Sequence, residues 1–204
     1  MTTPKPDITL YFLGASRAIR IAWLLEELSL SYTLVSSPRA SNGLAAPEFK
    51  AKIPTKLGKS PTVQDGDIVV QESGAIAEAK VREWIAASEG TFMLHALAVL
   101  YARWRIPNAA SSYLPEMEQA LSPNVQNDLN WLESELSSNE SGGRYLVGSD
   151  LTAADILMGF SIEFILMRRL GTDGGSWPKV QTWLSGITNR DAYKLAVEKT
   201  GYSL

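Results

Sequence analysis

Three short stretches of this 204-residue chain set polar side chains where backbone geometry leaves amide groups open. Lys59-Ser60-Pro61 stands directly before Thr62-Val63. Proline has no N–H and is tolerated at the start of a strand but not within a central ladder. X–Pro bonds also lose most of the usual trans preference. The pattern predicts a turn, cis at Pro61, in which the N–H and C=O of Ser60 are free to pair with an extended peptide-like ligand. Glu72-Ser73 follows the strand-like Ile68-Val69-Val70 at the point where a helix begins. A helix start offers unpaired N–H groups and positive potential, which suits a ligand carboxylate, although the same pair would serve as an ordinary cap. Ser16 opens a third such place, after the apolar run Ile8–Leu13. A hydroxyl there can cap the helix, donate a hydrogen bond to a ligand, or do both.

The elements that must hold these residues follow from periodicity. Ile8–Leu13 is short and β-prone, and residues 17–30 place Ala18, Ile21, Ala22, Leu25 and Leu28 at helical spacing. Ser31–Val35 reads as a second strand, and a short helix is expected near Pro47–Lys52. Thr62–Gln64 and Ile68–Val70 flank Asp65-Gly66, a turn pair, and so form a hairpin. From Ser73 onward the pattern is helical, with apolar helices over Leu129–Leu136 and Asp155–Leu170 and another starting at Trp177. Thr152-Ala-Ala-Asp155 fits a capping box. The expected fold is an α/β domain followed by an all-α domain.

Composition narrows the function. Nineteen basic against 22 acidic residues give a net charge of −3, which supplies no basic field for nucleic acid and no polybasic membrane patch. The chain has no cysteine, so disulfides, a protein thiolate and Cys-based metal sites are excluded. Its one histidine, His95, cannot build a multi-histidine metal site. No apolar run approaches a membrane span and the N-terminus lacks a signal-peptide core, so a soluble, cytoplasmic protein is expected.

Four motifs in order resemble the glutathione transferases, and specifically their serine-type branch of fungi and bacteria. These are Ser16-Arg-Ala-Ile-Arg-Ile-Ala-Trp-Leu-Leu-Glu-Glu-Leu28, Ala46-Pro-Glu-Phe-Lys50 with Leu57-Gly-Lys-Ser-Pro61, Val70-Gln-Glu-Ser-Gly-Ala-Ile76, and Tyr145-Leu-Val-Gly-Ser-Asp-Leu-Thr-Ala-Ala-Asp-Ile156. The resemblance implies a thioredoxin-like glutathione-binding domain over residues 1–79 and a helical-bundle domain over 80–204 that contributes an electrophile pocket. It implies glutathione as co-substrate, a small hydrophobic electrophile as second substrate, a homodimer, and a role in detoxification or secondary metabolism. Conjugation and glutathione-dependent lyase, isomerase or peroxidase chemistry all stay open, as does a non-catalytic glutathione-binding or regulatory protein. The lack of cysteine speaks against the cysteine-dependent branch.

By the same resemblance Ser16 is the catalytic residue: its hydroxyl, beside a helix start, would favour the glutathione thiolate. Tyr11, a strand tyrosine, is the rival, with packing as its plainer role. Glu72 and Ser73 would receive the γ-glutamyl end, and Ser60 and Pro61 the peptide backbone. Lys59 would meet the glycyl carboxylate, with Arg39 as a weaker candidate. Thr152 and Asp155 would be structural. His95 would lie on a helix bordering the electrophile pocket, as a general acid/base or as a surface or packed residue. Tyr101, Trp104, Tyr113 and Phe164 are aromatics that could shape the pocket, most of them expected in the core.

The chain departs from the family between Ile76 and Glu89. Relatives carry several tens of residues there, including a linker, whereas this chain has 12 residues, Ala77 to Ser88, without proline or glycine. The apolar period continues through Val81, Trp84 and Ile85. This predicts one helix from Ser73 to about Tyr101, or two joined by a sharp bend without a loop, with Gly90 as the place for a kink.

Overall fold

Strand β1 (Ile8–Leu13) sits second in a four-stranded sheet of order β2-β1-β3-β4, where β2 is Tyr32–Ser37, β3 Thr62–Asp65 and β4 Ile68–Val70. The computed structural model describes residues 7–55, 58–66, 68–70, 79–139 and 141–204. β1 runs parallel to β2 (Leu10 opposite Leu34) and antiparallel to β3 (Tyr11 opposite Thr62), while β3 and β4 form the expected hairpin. Successive strand residues face opposite sides. Ile8, Leu10 and Phe12 form one buried row, and Leu13 on the other side packs with Phe49 and Ile53. Phe49 belongs to α2 (Pro47–Lys52), whose Pro47 occupies the first turn, where a missing N–H costs nothing.

Helix α1 (Ile19–Glu27) buries Ile21, Ala22 and Leu25 of the apolar face read from the sequence, together with Ile19 and Trp23, whereas Leu28, read on that face, is exposed. It begins later than expected: Ala18, not Ser16, stands at its N-cap. Its partner is the C-terminal helix α8 (Asp191–Thr200). The Trp23 and Tyr193 rings meet edge to face at 5.0 Å. Arg190 Nε and Nη2 donate to the two Glu27 oxygens at 2.6 and 2.7 Å, and Lys199 donates to Glu26 at 2.8 Å. Residues 189–204 therefore form one compact unit with residues 1–75, whereas the sequence division placed them in the second domain.

The second unit spans 76–188 and is helical. It comprises α3 (Ala79–Ala87), a π-helical turn (Ser88–Met93), α4 (Leu94–Arg105), a 3₁₀ turn (Asn108–Tyr113), α5 (Leu114–Ser138), α6 (Ala153–Met167) and α7 (Pro178–Thr188). From Ala79 to Arg105 the chain is one unbroken helix about 40 Å long. The fused-helix expectation holds across its described part; Ser73 to Glu78 lie outside the described residues. Gly90 falls inside the π turn, where a side chain would meet nothing within 4 Å. A π turn shifts the carbonyl pairing by one residue. Ser161 on α6 donates its hydroxyl to the Ser88 carbonyl at 3.1 Å, and both serines are fully buried.

Val81–Arg105 is long and apolar enough to cross a membrane by length and composition, although 44% of its most apolar window is buried in the unit. What it packs against includes Trp131 of α5, which stacks on Trp84 at 4.5 Å and lies 5.9 Å from Phe92. Asp155 ties the bundle together as the capping box predicts. It accepts from the Thr152 and Leu146 amides at 2.9 Å each and from Trp183 Nε1 at 3.0 Å. Burial pushes its carboxyl above the ordinary range, and these donors hold it down.

Candidate functional site

Three serine and proline positions converge at the end of β1. Gly14 extends the β1–β2 ladder by donating to the Ser37 carbonyl at 2.8 Å. The chain then turns at Ala15, whose φ of +46° is a left-handed conformation uncommon outside glycine. Ser16 follows, only 8% exposed. Its Oγ donates to the Leu13 carbonyl at 2.6 Å and accepts the Ala18 amide at 3.2 Å. The hydroxyl thus satisfies an amide at the entrance of α1, two residues on, as a serine turn rather than as a formal N-cap.

The Ser60–Pro61 peptide is cis, as the sequence pattern predicted. Ser60 Oγ accepts the Leu13 amide and donates to the Tyr11 carbonyl, both at 2.9 Å. Its side chain therefore continues the pairing of β1 beyond Thr62, the last β3 residue in register. Thr62 Oγ1 donates to the Lys59 carbonyl at 2.7 Å, closing the corner from the other side. Gly58 fixes its base. At φ +53° any side chain there would come within 3.0 Å of the Lys50 carbonyl of α2. Lys59 itself is exposed. Glu72 and Ser73 lie outside the described residues.

Tyr11, the rival of Ser16, donates its hydroxyl to Gln64 Oε1 at 3.2 Å and packs its ring against the Leu13–Phe49–Ile53 cluster. Arg39 is placed differently from its sequence reading. Its guanidinium donates to the Gly43 carbonyl at 2.7 Å and to the Ala15 carbonyl at 3.1 and 3.4 Å. These three bonds all go to backbone carbonyls.

In the second unit His95 Nδ1 lies 2.7 Å from Asp128 Oδ2. Asp128 is nearly buried, and desolvation raises its carboxyl above the usual range while the imidazole bond holds it down. Nothing in residue type or spacing pointed to this partner, 33 residues away on another helix. The aromatic expectation is corrected as well: Tyr101, Trp104 and Tyr113 are 44, 62 and 63% exposed, and only Phe164 is core. Leu94, Tyr101 and Trp104 make an apolar stripe on the open face of α4, and Arg105 lies over the Tyr101 ring. An open groove of about 640 Å³ runs past Leu114, Glu118, Ser122 and Gly171, and shares no residue with the serine corner. Among the described residues no group of three or more His, Asp or Glu side chains is placed to hold a metal ion.

Comparison with known proteins agrees with this architecture. Residues 6–78 match the glutathione S-transferase N-terminal domain and residues 93–191 the glutathione S-transferase C-terminal domain. The chain belongs to the glutathione S-transferase family. It is 29% identical to glutathione S-transferase 1 of Saccharomyces cerevisiae, with 95% of each chain covered. That alignment runs over 230 positions, so the yeast protein carries residues this shorter chain lacks. A crystal structure of a glutathione S-transferase from Actinobacillus pleuropneumoniae is 28% identical with a TM-score of 0.74, covering 97% of this chain and 94% of its own. A glutathione transferase from Phanerochaete chrysosporium, solved with oxidized glutathione, shares the fold at 21% identity and a TM-score of 0.72, with 97 and 96% covered.

Proposed function

We propose that this chain is a glutathione transferase of the serine type, in which Ser16 stabilises the glutathione thiolate for attack on a small hydrophobic electrophile. The observation that carries this reading is the Ser16 hydroxyl, set between the end of β1 and the first amides of α1. A hydroxyl proton rotates freely about its C–O bond. Turned from the Leu13 carbonyl toward a sulfur, it can donate to the thiolate while the oxygen still accepts the Ala18 amide. A hydrogen bond to a charged acceptor is worth about 1.5–3 kcal/mol. The helix start adds about 0.3–1 kcal/mol. Together these lower a thiol from about 8.5 by roughly one to three units, enough for substantial ionisation at neutral pH.

The tripeptide lies along the cis-proline corner in this reading, with its cysteinyl backbone on Ser60 and Pro61. The γ-glutamyl end goes to Glu72 and Ser73, and Lys59 takes the glycyl carboxylate. The protein works as a cytoplasmic homodimer in detoxification or secondary metabolism, and the apolar stripe of Leu94, Tyr101 and Trp104 supports a second copy as its cover. The electrophile, and whether the net reaction is conjugation, lysis, isomerisation or peroxide reduction, is set by other groups than the thiol donor.

One observation favours a second reading, a glutathione-binding protein without turnover: the Ser16 proton is already engaged at 2.6 Å and its side chain is largely buried. Retention on glutathione-agarose together with conjugation of an aryl halide supports the transferase. Retention without conjugation supports the binder, and neither would contradict both.

A further inference from the structure

We propose that Arg39 is a positioning residue that grips the Ala15 carbonyl and so fixes the peptide plane from which Ser16 projects, an inference that rests on Ser16 being the thiol donor. The peptide between Ala15 and Ser16 is planar, so the direction of the Ala15 carbonyl also sets the Ser16 amide and Cα. Arg39 holds that carbonyl with two donors of one guanidinium, Nη2 at 3.1 Å and Nε at 3.4 Å. Such a fork constrains orientation as well as distance.

The held residue is one that needs holding. Ala15 has φ +46°, a region that L-residues other than glycine, asparagine and aspartate seldom occupy. Rotation of this peptide would relax Ala15, and would carry Ser16 Oγ away from both the Leu13 carbonyl and the Ala18 amide. The surrounding structure must therefore oppose it.

Arg39 is itself anchored. Its third contact is the Gly43 carbonyl at 2.7 Å. The loop between is closed by Ala40 N–H to the Leu44 carbonyl and Gly43 N–H to the Ala40 carbonyl, both 2.8 Å, and by an antiparallel bridge from Arg39 to Ala45. Ala45 in turn packs on the Leu13–Phe49–Ile53 cluster that carries the end of β1. The guanidinium thus spans from the turn before α1 to a braced loop, with a backbone carbonyl at each end.

The test is a double-mutant cycle with Ser16→Ala, Arg39→Ala and Arg39→Lys, read by amide exchange at residues 15–19, by calorimetric affinity for glutathione, and by ultraviolet titration of the bound thiol. In Arg39→Ala the Ala18 and Ile19 amides should exchange about tenfold faster or more, without a general loss of protection. The bound thiol should titrate at higher pH, glutathione affinity should change little, and Arg39→Lys should restore part of the effect. In the Ser16→Ala background Arg39→Ala should add nothing to the thiol titration. Unchanged exchange at Ala18 and Ile19 overturns the proposal, as does a loss of glutathione affinity with the thiol titration unmoved, which would make Arg39 a ligand for the peptide. If Ser16→Ala alone leaves the thiol titration unmoved, the thiol-donor reading fails, and the exchange data still decide whether Arg39 holds the turn.

Discussion

Ser16 and Ser60 hold opposite ends of the same residue: Ser60 Oγ accepts the Leu13 amide at 2.9 Å, and Ser16 Oγ donates to the Leu13 carbonyl at 2.6 Å. The candidate thiol donor and the cis-proline corner are therefore linked through one buried residue of the central strand. Leu13 is anchored in turn by Phe49 and Ile53 on the same face. A change at either serine is passed to the other through the Leu13 backbone, not through a flexible side chain.

Ser60→Ala should act at a distance for that reason. It removes the acceptor for the Leu13 amide and the donor to the Tyr11 carbonyl. The expected stability loss is about 1–2 kcal/mol by urea denaturation. The Ser16–Ala18 turn should exchange faster, although residue 60 is far from it in sequence. A variant with wild-type exchange at Ala18 would show that the two serines are independent.

The docking of α8 on α1 should weaken in acid. The Arg190 guanidinium holds the Glu27 carboxyl below its ordinary value, burial opposes this, and Trp23 Nε1 adds a further donor at 2.9 Å. A carboxyl lowered in the folded state contributes stability that is complete above its unfolded value near 4.5 and is lost as pH falls through the folded value. The pair is half-exposed on the arginine side, so the contribution is about 1 kcal/mol. Proteolysis or amide exchange confined to residues 189–204 should rise below pH 4.5, and Glu27→Gln should show the same loosening at pH 7. Uniform behaviour of α8 across this range in both proteins would contradict the assignment.

His95→Ala should raise the Asp128 titration further above the carboxylate range. Desolvation already pushes that group up, and the imidazole bond is what restrains it. At neutral pH the variant leaves a nearly buried carboxylate unpaired, at a cost of about 1–3 kcal/mol. The penalty should shrink as pH falls, because the raised carboxyl then takes up a proton. Carboxyl carbon shifts by NMR would follow this, and an unmoved Asp128 titration would mean that the pair carries no coupling.

Local signals in the sequence predicted local structure well. Pro47 in the first turn of α2, Asp65-Gly66 at the hairpin, Ser60-Pro61 at the corner and the Thr152–Asp155 capping box each act within a few residues, and each was readable. The uninterrupted apolar period through Val81, Trp84 and Ile85 foretold the continuous helix, while Gly90, read as the place for a kink, lies in its π turn. What escaped was set by contacts between distant segments. The return of residues 189–204 to the first unit depends on Arg190 meeting Glu27, 163 positions away. Asp128 meets His95 across two helices, and Arg39 turns to a carbonyl 24 positions back. Tyr101, Trp104 and Tyr113 are large aromatics of the kind that usually fill a core, so their exposure was not legible from residue type.

The central claim is that the Ser16 hydroxyl ionises glutathione, and the ultraviolet titration of bound glutathione thiolate tests it most directly. In the wild type the thiol should ionise roughly one to three units below the free value near 8.5. Ser16→Ala should return it most of the way to that value, with the fold intact by circular dichroism and turnover lowered about tenfold or more. Tyr11→Phe should leave the titration where it is, because the Tyr11 hydroxyl serves Gln64. A thiol that titrates alike in the wild type and Ser16→Ala, or that moves with Tyr11→Phe instead, would contradict the account.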